Sequence, residues 1–280
     1  MTKRKRLKPK RLIALVTVLV LVFSTMSSGL GYAYDKDYTA YMVGNAHIDT
    51  AWKWLLEESA QECYTTFNRQ IDNINNNPDF RFSTSASLHY KWTKEYFPEL
   101  YNDIKDKVQA GQWEVVGGQV IEPDLNVPSG EALVRQFLYG QKFFKEEFGS
   151  NCEVGWVPDV FGFSGQTPQI LKKSGLDYFI TTKLNWNDTN TFPYEIFKWQ
   201  GIDGTDVITY KPMKDYVHIY SDTDINNSLS KPDSLGIKKS MALYGAGDHG
   251  GGPVQSDIDQ IKEQDADASM PSVKFKTAID

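Results

Sequence analysis

From Tyr41 to the C-terminus the chain alternates short strand-like runs with longer helical ones, and this alternation restricts the fold more than any other feature. Residues 41–46 suit a buried strand. Ala60, Tyr64, Phe67, Ile71 and Ile74 then recur at the spacing of one helix face, until Asn75-Asn76-Asn77-Pro78 stops the run. Residues 80–86 read as a second strand. Residues 88–110 read as helix, kinked or divided at Pro98 and stopped by Gly111. Residues 113–116 read as a third strand. The next helix carries Leu133, Phe137, Phe144 and Phe148 on one stripe and ends at Gly149. Residues 154–157 suit a fourth strand. Thr167-Pro168 supplies an N-cap and a proline for a short helix that Gly175 closes, and residues 178–182 suit a fifth strand. Residues 197–200 and 207–210 flank Asp203-Gly204, a hairpin signal. Residues 241–244 and 273–276 are the last strand-like runs.

Strands separated by helices pair in parallel with the helices outside, as an open doubly wound sheet or a barrel. In either fold, ligands bind at the carboxyl ends of the strands. Those ends are unusually polar here. The first runs into His47-Ile48-Asp49, the third into Gly117-Gly118 and Glu122-Pro123-Asp124, the fourth into Pro158-Asp159 and the fifth into Lys183. A later one runs into Asp248-His249-Gly250-Gly251-Gly252-Pro253. His47 and Asp49, two apart on extended chain, point to one face. An imidazole and a carboxylate so placed suit zinc, or form an ordinary pair capping the following helix. Asp159 reads as a third ligand, a nucleophile or a plain loop carboxylate.

The N-terminus has a different character. Lys3, Arg4, Lys5, Arg6, Lys8, Lys10 and Arg11 precede an apolar run over residues 12–23, and small and polar residues lead to Gly31-Tyr32-Ala33. This is the layout of a secretory signal, and the apolar run is short against the roughly 20 residues of a bilayer span. Residues 1–33 are therefore expected to be a signal peptide and residues 34–280 the functional domain, extracytoplasmic or secreted. Cleavage after Ala33 would take the formal charge from −6 to about −13. So acidic a surface argues against nucleic acid and favours a neutral substrate such as a sugar. Cys63 and Cys152 are too few for a disulfide framework and read as two buried thiols.

Ala46-His47-Ile48-Asp49-Thr50-Ala51-Trp52 resembles the opening motif of glycoside hydrolase family 38, the α-mannosidases. The likeness continues in order through Gly117-Gly118, Glu122-Pro123-Asp124 with Pro128-Ser129-Gly130-Glu131, and Trp156-Val157-Pro158-Asp159-Val160-Phe161-Gly162. It runs on through Lys183, Trp186-Asn187, Phe192-Pro193 and Trp199-Gln200-Gly201-Ile202-Asp203-Gly204 to Gly247-Asp248-His249-Gly250-Gly251-Gly252-Pro253, similar to the Gly-rich segment of the bacterial and fungal branch. It covers nearly all of residues 40–280.

The resemblance implies an α/β fold, a parallel (β/α) barrel of about seven strands, C-terminally incomplete because the family's chains are far longer. It implies retaining, zinc-dependent hydrolysis of terminal α-mannosides from glycans or small mannosides, in mannose catabolism. His47, Asp49 and Asp159 would hold zinc, with Asp159 also the nucleophile. Asp248 would be the acid/base, and Trp52, Phe161 and Lys183 would contact substrate. The family's further metal-binding histidine has no counterpart: His89 reads as a helix-start residue and His218 as a loop residue. Two other functions stay open, a metal-dependent polysaccharide deacetylase and a non-catalytic carbohydrate-binding remnant. Against the deacetylase, the sequence has no His-x-x-x-His pair.

Overall fold

The alternation is realised as nine strands and seven α-helices among the described residues, 33–247 and 249–280 of a computed structural model. The expected signal segment, Ala33 apart, and Asp248 lie outside them. β1 (Thr39–Asn45) leads into α1 (Leu56–Asn76), and β2 (Phe82–Thr84) into α2 (Ser87–Tyr96) and α3 (Pro98–Gln109). β3 (Trp113–Val115) precedes α4 (Gly130–Phe148), and β4 (Val154–Trp156) precedes α5 (Thr167–Lys173). β5 (Tyr178–Ile180) is followed by the hairpin of β6 (Ile196–Gln200) and β7 (Asp206–Tyr210). α6 (Asp222–Ser234), β8 (Lys239–Tyr244), α7 (Gln255–Ala266) and β9 (Ser272–Phe275) complete the order.

Local sequence accounts for these boundaries. Pro98 occupies the first turn of α3, so the predicted 88–110 stretch becomes two helices joined at Phe97. Ser129 caps α4 by accepting the Ala132 N–H at 3.2 Å, and Gly149 ends it in the left-handed conformation, φ 82°. On α1, Ala60, Cys63, Phe67, Ile71 and Ile74 are all buried, and each large member contributes roughly 1.5–3 kcal/mol by leaving water. Both cysteines are buried and free, and burial pushes both thiols up. The pattern reading missed α6 and α7, whose polar sequences bury few large residues. α6 is marked instead by a capping box between Ser221 and Asp224.

The strands form two sheets. One runs β3-β2-β1-β8 with every pairing parallel, and β9 joins the N-terminal half of β1 on the edge whose C-terminal half pairs with β2. The other runs β4-β5-β7-β6, parallel except for the β6–β7 hairpin. The α/β fold with parallel pairing is as expected, whereas the described strands make no closed sheet, so the expected seven-stranded barrel is not confirmed. On one side β6 occupies the β7 edge that closure would give to β8. There, among the described residues, β7 and β8 are joined through a side chain, the Tyr210 hydroxyl, which accepts the Met241 N–H at 2.9 Å and donates to the Met241 carbonyl at 2.8 Å. On the other side the Gly117 N–H donates to the Val154 carbonyl at 2.8 Å, joining the end of β3 to β4. Gly117 and Gly118 hold φ at 84° and 68°, and so turn the chain out of β3. The carboxyl ends of β1, β3, β4 and β5 carry the residues described next.

Candidate functional site

Beyond β1 the chain stays buried as far as Ile48, which fixes the His47 ring before the loop opens. His47 is 5% exposed. Its Nε2 lies 3.3 Å from Asp49 Oδ1 and 3.6 Å from Asp159 Oδ2, the latter arriving from the end of β4 in the second sheet. One donor atom from each of the three residues falls within 4.8 Å of the others. Bonds of about 2.1 Å to a tetrahedral cation put donors roughly 3.4 Å apart, so the spacing fits a divalent ion. One nitrogen with two carboxylate oxygens also suits zinc among such ions. The structure thus brings together all three predicted ligands, which are far apart in sequence.

The other face of the His47 ring meets an acid. Nδ1 lies 3.1 Å from Glu122 Oε2, and Glu122 Oε1 accepts the Ser85 hydroxyl at 2.6 Å. Burial disfavours the imidazolium, but the charge of Glu122 and the close approach of Asp49 and Glu122 outweigh it, and His47 is pushed up to about 10. His89 shows the opposite balance. It is fully buried within α2, its Nε2 is 2.9 Å from Thr50 Oγ1, and burial brings it down to about 3. It is a neutral structural histidine.

The Lys183 side chain is 4% exposed, and its Nζ lies 2.7 Å from Asp159 Oδ1. Asp215 Oδ2 lies 3.4 Å away on another side, and the Trp186 ring centroid 4.4 Å. The ammonium therefore fixes the Asp159 carboxylate. Thr182 Oγ1 lies 2.7 Å from the Pro158 carbonyl oxygen and 2.8 Å from Asp215 Oδ1, sharing its one proton between them and tying the β5 end to the Asp159 loop. Trp52 and Phe161 are 64% and 57% exposed, so core packing does not explain them. Phe161 stacks on Trp186 at 5.5 Å and 13°.

The glycine-rich loop is pinned on both flanks of Asp248. Ala246 and Gly252 exchange backbone bonds, and the Gly250 N–H reaches the His47 carbonyl at 2.5 Å. α1 holds the loop from the other side. Thr66 Oγ1 accepts the Gly251 N–H at 2.7 Å, and Gln70 Nε2 donates to the Gly251 carbonyl at 2.8 Å. Gly250, Gly251 and Gly252 all have positive φ, which only glycine adopts three times running without strain.

Sequence reasoning gave no role to Glu122, Asp215, Trp186, Thr66 or Gln70. Glu122 and Trp186 stood inside recognised motifs, which was a usable signal. Asp215 carried none, because its partner Lys183 is distant in sequence.

Residues 37–280 match the model of the glycosyl hydrolases family 38 N-terminal domain. The chain is 42% identical over 245 residues to α-mannosidase G of Dictyostelium discoideum, covering 87% of this chain and 22% of that protein. It is 37% identical to human α-mannosidase 2C1, covering 87% of this chain and 24% of that protein. It therefore spans about a quarter of the length of these relatives. An α-mannosidase structure from Enterococcus faecalis V583 superimposes with a TM-score of 0.68 at 21% identity, over 86% of this chain and 28% of that one, a likeness of fold.

Proposed function

The chain belongs to glycosyl hydrolase family 38, and from that premise we propose that its site hydrolyses terminal α-mannosidic bonds with retention of configuration. One observation carries the reading: His47, Asp49 and Asp159, from two different sheets, converge on a volume the size of one cation. His47 Nε2 and oxygens of Asp49 and Asp159 would hold zinc. When bound, such an ion supplies a Lewis acid that orients sugar hydroxyls and offsets charge in the transition state.

The chain's own residues carry the steps. Lys183 holds Oδ1 of Asp159 and so aims the carboxylate. Asp159 attacks the anomeric carbon as the glycosidic oxygen takes a proton and leaves, giving a mannosyl ester on Asp159. Water, losing a proton to the same acid/base, then breaks the ester and restores the original configuration. We assign the acid/base role to Asp248 on its motif, the residue itself lying outside the described set. Trp52 and Phe161 offer exposed rings to the apolar faces of sugars, and Trp186 extends the Phe161 surface. The basic and apolar N-terminal segment supports work outside the cytoplasm, in breakdown of mannose-containing glycans. Among the described residues no helix is long and apolar enough to cross a membrane.

The test is hydrolysis of an aryl α-mannoside by the chain, with zinc and after chelation. Activity should need the metal, release α-mannose first, and fall roughly 10³-fold or more in Asp159→Asn. Mannoside binding without turnover would overturn the enzymatic reading, and activity indifferent to chelation would overturn the metal.

A further inference from the structure

We infer that Glu122, oriented by Ser85, is a positioning residue that keeps the His47 proton on Nδ1 and thereby presents Nε2 as the metal-binding atom; this rests on the metal reading above. The Glu122 side chain is 8% exposed, and Oε2 lies 3.1 Å from His47 Nδ1, at hydrogen-bond distance though off the ideal line. Among the described residues neither atom has a hydrogen-bond partner elsewhere. Glu122 meets the ring nitrogen opposite the one that faces Asp49 and Asp159, so it cannot share their cation and stands outside the donor group.

Imidazole chemistry then fixes the tautomer. A neutral histidine has one nitrogen that donates and one that accepts. An ionised carboxylate only accepts, so the proton belongs on the nitrogen beside it. The Nε2 lone pair is left facing the two aspartates. A carboxylate behind a ligating histidine also strengthens that ligand and stops the ring from turning.

The surrounding backbone is built to hold this acid. Ser85 Oγ donates to Glu122 Oε1 at 2.6 Å. The next residue, Ala86, is the only described non-glycine residue with positive φ, at 69°, and it is fully buried. Such a conformation in alanine persists only where its surroundings impose it. Here the Ser87 N–H donates to the Gln119 carbonyl and the Leu88 N–H to the Val120 carbonyl, both at 3.0 Å. These bonds join the turn carrying Ser85 to the loop carrying Glu122.

The experiment reads zinc leaving the loaded chain into excess chelator, a rate untouched by proton competition in the metal-free state. Glu122→Gln should release zinc roughly 10- to 100-fold faster than the unaltered chain, and Ser85→Ala should change in the same direction by less. Should Glu122→Gln not fold, Ser85→Ala decides alone, with the metal-free unfolding midpoint of each variant as the control for general damage. In the zinc-loaded chain with ¹⁵N-labelled histidine, the His47 proton signal should sit on Nδ1. Equal release rates, or a proton on Nε2, would overturn the inference and leave the metal site standing. An unaltered chain that binds no zinc would overturn the metal reading, and this inference with it.

Discussion

Acidification should strip the cation from this site far more steeply than an ordinary histidine ligand allows. In the metal-free chain, burial works against the His47 imidazolium, but the Glu122 charge and the neighbouring Asp49 and Glu122 contacts prevail and hold its pKa at about 10. A ligand must shed its proton to bind metal, so protons compete with zinc throughout the neutral range. With one titrating ligand of pKa about 10, apparent affinity falls about tenfold per pH unit, or about 100-fold from pH 8 to pH 6. At the ordinary histidine value the same change would cost only about fourfold. Zinc titrations against a chromophoric chelator across this range measure the slope. Calorimetry in buffers of different ionisation heat should count about one proton released per zinc at neutral pH. Stability gives a second readout. Because the folded pKa lies above the unfolded one, His47 stabilises the metal-free fold fully below about pH 6.5, and that contribution is lost as pH rises towards 10. The metal-free unfolding midpoint should fall across that window. A fourfold affinity loss with no proton release would refute the picture of a histidine held charged by its acids.

Lys183→Met removes an ammonium 2.7 Å from Asp159 and 3.4 Å from Asp215. Both acids are partly solvated, so the loss should be below that of a fully buried pair, about 1–3 kcal/mol by urea denaturation, and smaller with zinc present. Trp186→Ala should change stability by no more than about 0.5 kcal/mol, since the ring is 66% exposed. It should raise KM for oligomannosides more than for a small aryl mannoside, as steady-state kinetics on both substrates would read. Gln70→Ala removes the hydrogen bonds from Gln70 to the Gly251 and Pro253 carbonyls, which keep Arg69 and Asn73 as donors, so at about 0.5–1.5 kcal/mol per bond thermal denaturation should report a loss of about 1–3 kcal/mol, accompanied by a lower kcat.

What the sequence could carry follows from how each feature is encoded. Helices with a large apolar face, such as the one bearing Phe67, Ile71 and Ile74, announce themselves by period, and strand ends by the polar residues that interrupt apolar runs. α6 and α7 bury Ile225 and Leu229, and Ile258 and Ile261, too few to show a period, so their capping and tertiary packing decide. The candidate metal ligands were legible because His47 and Asp49 share a strand end and Asp159 lies in a strong motif. The Lys183–Asp159–Asp215 contacts and the Glu122 support behind His47 depend on which strand lies beside which, and spacing along the chain does not encode that. Nor could alternation distinguish a closed sheet from two sheets, because the edge of β7 is assigned by the hairpin that follows Ile196.

The division into two sheets gives the candidate cation a structural position as well as a chemical one. His47 and Asp49 extend from β1 in the first sheet, whereas Asp159 extends from β4 in the second. Across one seam between the sheets the Gly117 N–H and Gln119 Nε2 donate to the Val154 and Trp156 carbonyls, and across the other the Tyr210 hydroxyl exchanges two bonds with Met241. A cation shared by the three ligands would bridge sheets that backbone pairing leaves unclosed. Without it, two carboxylates face each other across that boundary with the His47 imidazolium and the Lys183 ammonium to offset them. Glu122 beside His47 and Asp215 beside Lys183 add two further acids, so the two cations offset only part of the acidic charge and the metal-free cavity stays attractive to a divalent ion. The His47 proton is the one of the two that can depart when the metal binds, since Lys183 does not belong to the donor group. Loading therefore exchanges a proton for a divalent ion while Lys183 keeps its hold on Asp159, which leaves the carboxylate aimed in both states.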